Sequence, residues 1–213
     1  MGLFQRRPQV SDPVQYYTLG QNKTILIVGL GNIGKEYDGT RHNIGFACLD
    51  AFAQANEFDP WIHQKNLKSH IASATLGDTR TIIMKPTTFM NLSGEAVQAV
   101  MYFYKVPADK VVVVHDELDI NFGHIRTRNG GGSAGHNGLK SVIGLVGEDF
   151  GRVRIGIGPK EPAQMDSADF VLASFSKAQQ ADMKNLTREV NAILSEYAFG
   201  DGHLQEETRS FLI

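Results

Sequence analysis

The stretch from Ile25 to Phe46 constrains this chain most: Ile-Leu-Ile-Val-Gly-Leu-Gly-Asn-Ile-Gly-Lys-Glu-Tyr-Asp-Gly-Thr-Arg-His-Asn-Ile-Gly-Phe. It opens on four apolar residues, three of them β-branched, which predict a buried strand. Gly29, Gly31 and Gly34 break that strand, and no helical spacing begins until about Asn43. The connection is longer than the 2–6 residues usual between a strand and a helix. Long loops at the ends of buried strands are where α/β proteins place their sites. This loop carries Asn32, Tyr37, Arg41 and His42.

The rest of the chain repeats the alternation. Ile44, Cys48 and Phe52 mark one helical face, on which Cys48 reads as a small core residue rather than a nucleophile. Ser69–Leu76 and Thr81–Lys85 predict a hairpin around Gly77-Asp78. Pro86 biases Lys85 away from helix, and Asn91 or Ser93 is placed to cap a helix running to about Lys105. Val111–Val114 predicts a central parallel strand ending in His115-Asp-Glu-Leu-Asp119. A polar strand over 123–128, at the sheet edge or rim, leads into the small-residue loop 129–135. A helix from His136 to Val146, a strand over Val153–Ile157 and a final helix over Lys177–Tyr197 complete the pattern. Strands alternating with helices predict an α/β fold: a single domain built on a twisted, mostly parallel mixed sheet with helices on both faces.

Bulk properties narrow the class. A chain of 213 residues with 42% hydrophobic content fits one domain with a large core. A net charge of −2 means that any surface for a polyanion is local. One cysteine allows no internal disulfide, which suits a reducing cytoplasm. No apolar run reaches the 18 residues of a membrane span. Residues 1–22, with Arg6, Arg7, Pro8 and Pro13 and no apolar core of the signal-peptide kind, read as an extension before a domain over 23–213.

If the central strands are parallel, their carboxyl ends share one edge. Asn32 and His42 follow the first strand, Asn91 follows the Thr81–Lys85 strand, Asp116 follows Val111–Val114, and Asn137 opens the helix after the glycine loop. Such a cluster holds one imidazole, one carboxylate and three amides. An imidazole takes a proton from water at neutral pH, and a carboxylate fixes its tautomer and stabilises the imidazolium. Neutral amides supply donors to an oxyanion and both donors and acceptors to a peptide or ribose. Asn137 is the amide expected to matter most to an oxyanion, because a helix start lends further N–H donors. The bland alternative is that each Asn is a cap or turn residue.

A second feature is charge. Residues 121–160 hold Arg126, Arg128, Lys140, Arg152, Arg154 and Lys160 against Glu148 and Asp149. Arg126 and Arg128 alternate on one strand and so share a face. The patch reads either as a solvated face or as a phosphate-tracking ramp toward the cluster, with the glycine loop and the start of the next helix adding N–H donors.

Three rival motifs are weaker. Gly29-Leu-Gly-Asn-Ile-Gly34 matches a dinucleotide fingerprint, but the helix starts late and Asp50, at the spacing of the ribose acid, lies inside it. Gly131-Gly-Ser-Ala-Gly135 matches a nucleophile elbow at Ser133, but the preceding strand is Arg-rich and the glycine run too pliant for a strained turn. His115-Asp-Glu-Leu-Asp119 offers metal-ligand types, but successive strand residues point apart.

With these residues assembled, the chain resembles the bacterial-type peptidyl-tRNA hydrolase family over about 180 residues. The motifs are Val28-Gly-Leu-Gly-Asn32 with Tyr37, Thr40-Arg-His-Asn43, Lys85-Pro-Thr-Thr-Phe-Met-Asn91, His115-Asp-Glu-Leu-Asp119, Gly130-Gly-Gly with Gly135-His-Asn-Gly-Leu-Lys140, and Arg154-Ile-Gly-Ile-Gly158. Ile33 departs from the family's usual proline without removing a chemical group. The resemblance implies a cytoplasmic, cofactor-free and metal-free monomer that cleaves the ester between a peptide and the 3′-terminal ribose of tRNA. It implies His42 as base, Asp116 as its partner and Asn32, Asn91 and Asn137 as stabilising and substrate-binding amides. It also implies Tyr37 and Met90 as cleft residues, Arg126, Arg128, Lys140 and Arg154 as tRNA contacts, and 161–176 as a mobile flap. Two other readings stay in view: a non-catalytic RNA-binding relative and a nicotinamide-dependent enzyme.

Overall fold

The computed structural model describes residues 23–200 and 202–212. The expected extension over 1–22 lies outside them. In chain order the elements are β1 (Lys23–Gly29), α1 (Ile44–Ala55), β2 (Ile62–Gln64), β3 (Ser69–Leu76), β4 (Thr79–Pro86), α2 (Ser93–Tyr104) and β5 (Val111–Asn121). There follow β6 (His124–Asn129), α3 (Asn137–Val146), β7 (Gly151–Gly158), α4 (Ser167–Leu172), α5 (Lys177–Ala181), α6 (Met183–Phe199) and β8 (Thr208–Ser210). One mixed sheet of eight strands runs in the order β2-β3-β4-β1-β5-β7-β6-β8. The four central strands, β4, β1, β5 and β7, are mutually parallel, and antiparallel partners flank them.

The two-residue period of a strand builds two cores from one sheet. Ile25 and Ile27 of β1 join Val112 and Val114 against α1 and α6, where Leu49, Phe52, Val190 and Leu194 are buried. Leu26 and Val28 face the other way with Ile82, Met84 and Val113, and meet Val97, Val100, Leu139 and Val142 of α2 and α3. Each fully buried aliphatic side chain contributes roughly 1.5–3 kcal/mol, so the central strands anchor whatever their ends carry. Cys48 belongs to the first core, where burial pushes its thiol well above the ordinary range.

A close backbone contact places the loop after β1. A Cβ on Gly29 would lie 2.6 Å from the Gly45 carbonyl oxygen, and one on Gly45 would lie 2.5 Å from that of Val114. The start of α1 therefore sits directly on the ends of β1 and β5, a fit only glycine permits. The single turn Arg41–Asn43 just before α1 is thereby pressed against β5.

Several elements differ from expectation. β5 continues to Asn121, because β7 keeps pairing with it beside His115, Asp116 and Glu117. β6 is not the sheet edge: Thr127 Oγ1 donates to the Gln205 carbonyl, and β8 lies alongside. The final helix breaks at Asp182, a poor residue for a helix interior. Neither Asn91 nor Ser93 caps α2; its N-cap is Leu92, and the Gly94 N–H donates instead to Ser141 Oγ of α3 at 3.0 Å.

Candidate active site

A cleft of about 590 Å³ opens at the carboxyl ends of the central strands. Asn32, His42, Met90, Asn91, Asp116 and Asn137 all line it, with His136, Glu117 and Leu118. Ala134 and Gly135 of the glycine loop and Ser167, Ala168, Val171 and Leu172 of α4 complete the walls. Five chain segments thus converge as the parallel topology demands. Tyr37 does not join them: it is half-buried on the turn Lys35–Tyr37, where its carbonyl accepts from the Thr40 N–H and hydroxyl. Ser133 is absent from the cleft wall, and its carbonyl accepts from the His136 N–H. A depression of about 720 Å³ between the ends of α2 and α3 is lined by Tyr102, Phe103, Val106 and Leu145 and carries no acid–base group pair.

At the floor, Asp116 is 3% exposed and His42 8%. His42 Nδ1 lies 2.9 Å from Asp116 Oδ1, and His136 Nε2 lies 3.0 Å from the same oxygen. Burial pushes the Asp116 carboxyl up, but the two imidazoles, His136 foremost, more than offset it and hold the group below the usual carboxylate range. Asp116 is then an acceptor, so His42 Nδ1 is the nitrogen that carries the proton between them. His136 is fixed from the other side: its Nδ1 accepts the N–H groups of Gly138 and Leu139 at 3.1 and 3.2 Å, making it the N-cap of α3. Its Nε2 is therefore the protonated nitrogen.

The ligand atoms of His42, Asp116 and His136 lie within 4.8 Å of one another, near enough for a cation. The tautomers argue for hydrogen bonds instead, since both nitrogens facing Oδ1 bear protons. The cap also answers one expectation. The N–H groups of Gly138 and Leu139 are consumed by His136, so those two donors do not assist Asn137. Asn137 and Asn91 present exposed amides at the cleft.

Asn32 is held on three sides. Asn43 Oδ1 accepts its backbone N–H at 2.8 Å, and Asn43 Nδ2 donates to its carbonyl at 2.9 Å. Its own Oδ1 accepts the Met90 N–H at 2.8 Å, which leaves Nδ2 as its free donor among the described residues. The clamp ties the loop after β1 to the loop after β4.

Beside His136 lies His115, fully buried, its Nδ1 donating to the Asp116 carbonyl at 2.7 Å and its Nε2 without a partner among the described residues. Burial, reinforced by the neighbouring His136, lowers its pKa to about 3. It is a neutral wedge.

The basic residues divide. Arg126 and Arg128 are exposed on one face of β6, opposite Arg154 and Arg152 of β7. Lys140 is exposed on α3. Arg154 is engaged, its guanidinium 3.1 Å from the buried Glu117 carboxylate. Arg152 is buried, donates to the carbonyls of Gly131 and Gly132, and so fixes the glycine loop.

This site can be set beside known proteins. The family model described as peptidyl-tRNA hydrolase matches residues 26–211. The chain belongs to the peptidyl-tRNA hydrolase family. A peptidyl-tRNA hydrolase of Rickettsia bellii (strain RML369-C) is 45% identical over 175 residues, covering 80% of this chain and 93% of the relative. That of Paracoccus denitrificans (strain Pd 1222) is 44% identical over 177 residues, 83% of this chain and 74% of the relative. A crystal structure of peptidyl-tRNA hydrolase from Acinetobacter baumannii superposes with a TM-score of 0.76 at 32% identity, covering 84% of this chain and 90% of that one. Among the described residues of this member of the peptidyl-tRNA hydrolase family, no helix is long and apolar enough to cross a membrane.

Sequence reasoning passed over His136, Asn43 and Arg152 as site-builders. Each sits inside a quoted motif or the basic stretch, and from sequence alone reads as a helix start or as surface charge. The usable signal was position: a histidine directly before a helix start, facing a glycine loop, is placed to cap with one nitrogen and bond with the other.

Proposed function

We propose that this chain hydrolyses the ester joining a peptide to the 3′-terminal ribose of tRNA, with water as the attacking group. Membership of the peptidyl-tRNA hydrolase family supports the substrate class. The observation that carries the mechanism is the 2.9 Å contact between His42 Nδ1 and Asp116 Oδ1 at the cleft floor.

His42 Nε2 accepts a proton from water as the oxygen attacks the ester carbon. Asp116 stabilises the imidazolium that forms. The carbonyl oxygen gains charge and is met by the Nδ2 donor of Asn32, with Asn91 and Asn137 orienting peptide and ribose. When the tetrahedral intermediate collapses, the C–O bond to the ribose breaks and the imidazolium returns its proton to the leaving 3′ oxygen. The step balances without a metal or cofactor. Arg126, Arg128 and Lys140 track the RNA phosphates, and Arg154 acts through Glu117 rather than as a free cation. We place the reaction in the cytoplasm and the chain as a monomer.

The direct test is release of deacylated tRNA and free peptide when the purified protein meets peptidyl-tRNA. Binding without turnover would favour the non-catalytic RNA-binding reading.

A further inference from the structure

Arg41, the residue next to His42, takes no part in the chemistry above, yet it is 9% exposed and cationic. Among the described residues no carboxylate pairs with it, and its Nε has no partner. A buried guanidinium held without a counter-charge is costly, so its surroundings indicate what it is for. Its hydrogen-bond and aromatic partners all belong to one segment. Its Nη1 donates to the carbonyls of Phe170 and Ala173, each at 3.2 Å. Its backbone N–H also donates to Ala173 O at 3.1 Å. The guanidinium carbon lies 4.2 Å from the Phe170 ring centroid and 5.6 Å from that of Phe175. Thr40 forms an antiparallel bridge with Ser174.

These contacts fasten the carboxyl end of α4 to the turn that bears His42. The other end of the segment is held differently: Lys160 Nζ donates to Met165 O and Ser167 Oγ, both within the segment itself. The face of α4 between these ends supplies Ser167, Ala168, Val171 and Leu172 to the cleft wall.

We propose that Arg41 is a positioning residue: it locks α4 in place as one wall of the cleft, and so sets how tightly substrate is held rather than how fast the ester is cut. The carbonyl dipoles at the end of α4 and two aromatic faces take the place of a carboxylate partner. The kinetic part of this proposal rests on the cleft being the peptidyl-tRNA site; the structural part does not.

The test uses Arg41→Met, which keeps length and loses the donors, and Arg41→Lys, which keeps charge and loses the planar fork. Amide hydrogen exchange is followed without substrate, and kcat and KM are measured on peptidyl-tRNA. Losing a charge-assisted hydrogen bond should raise exchange over 167–173 by about tenfold or more while α1 is unchanged. KM should rise about fivefold or more in Arg41→Met and less in Arg41→Lys, with kcat within about threefold and an unmoved rate–pH profile. Unchanged α4 exchange in both variants overturns the proposal whatever the enzyme's substrate. So does a fall in kcat or a shifted profile at constant KM, which would mean that Arg41 acts on His42. If Arg41→Met does not fold, Arg41→Lys decides alone. Absence of turnover in the unmodified protein would refute the functional reading and leave the exchange result standing.

Discussion

His136 Nε2 lies 3.0 Å from the Asp116 oxygen that His42 also contacts, while its Nδ1 caps α3. The two jobs can be separated. His136→Ala loses both and should cost about 1 kcal/mol of stability as the cap is lost. His136→Asn restores a good cap but does not reach Asp116. Thermal unfolding of the Asn variant should return most of the way to normal while turnover stays low. Restored turnover in His136→Asn would mean that the contact with Asp116 does not matter.

In the proposed mechanism Asn43 does not touch substrate but acts through its two hydrogen bonds to Asn32. Asn32→Ala should lower kcat by roughly 10²–10³, the usual loss on removing an oxyanion donor. Asn43→Ala should reproduce part of that loss. In an Asn32→Ala background it should add little, because residues acting as a unit are not additive. Full additivity in kcat across the double-mutant cycle would show that Asn43 acts independently.

His115 links structure to acid stability. Its folded pKa of about 3 lies below the ordinary imidazole value near 6.5. A depressed value means that the unfolded chain takes up the proton first. Stability from this group is therefore present above about pH 6.5 and lost as pH falls toward 3, with about 3 kcal/mol gone by pH 4.5. The Asp116 carboxyl, also depressed, loses its contribution only below the ordinary carboxylate range near 4. Denaturant titrations from pH 7 to 4.5 should show this slope in the parent and a flatter one in His115→Phe. Parallel slopes would show that His115 is not the responsible group.

Arg126 and Arg128 face solvent with no carboxylate partner among the described residues, unlike Arg154. Replacing both with Gln should weaken tRNA binding across sequences and flatten the log–log salt dependence by about one unit per lost phosphate contact. Arg154→Gln should instead destabilise the fold, since it strands the buried Glu117. An unchanged salt slope in the double variant would move the RNA to another face.

The alternation of strands and helices, the two-faced core and the gathering of His42, Asp116 and three Asn were legible because each follows from short-range pattern. Val111–Val114 reads as a central strand from its own residues. The convergence of loops then follows from parallel strands having one shared edge. What escaped the sequence depends on distant partners. His136 becomes a bridging residue only because β5 runs on past Val114 alongside β7. Arg154 reads as free charge until Glu117 is seen across the strands. Tyr37 sits in a matching motif, yet it is not among the residues that line the cleft. Arg41 reads as one more basic residue until α4, over a hundred positions later, is found wrapped around it.

The central claim is that His42 Nε2 takes the proton from the attacking water, and turnover of peptidyl-tRNA by His42→Ala tests it most directly. The account predicts a fall in kcat of at least about 10²-fold, with the fold intact by thermal unfolding and tRNA still bound. Near-normal turnover by the folded variant would contradict it.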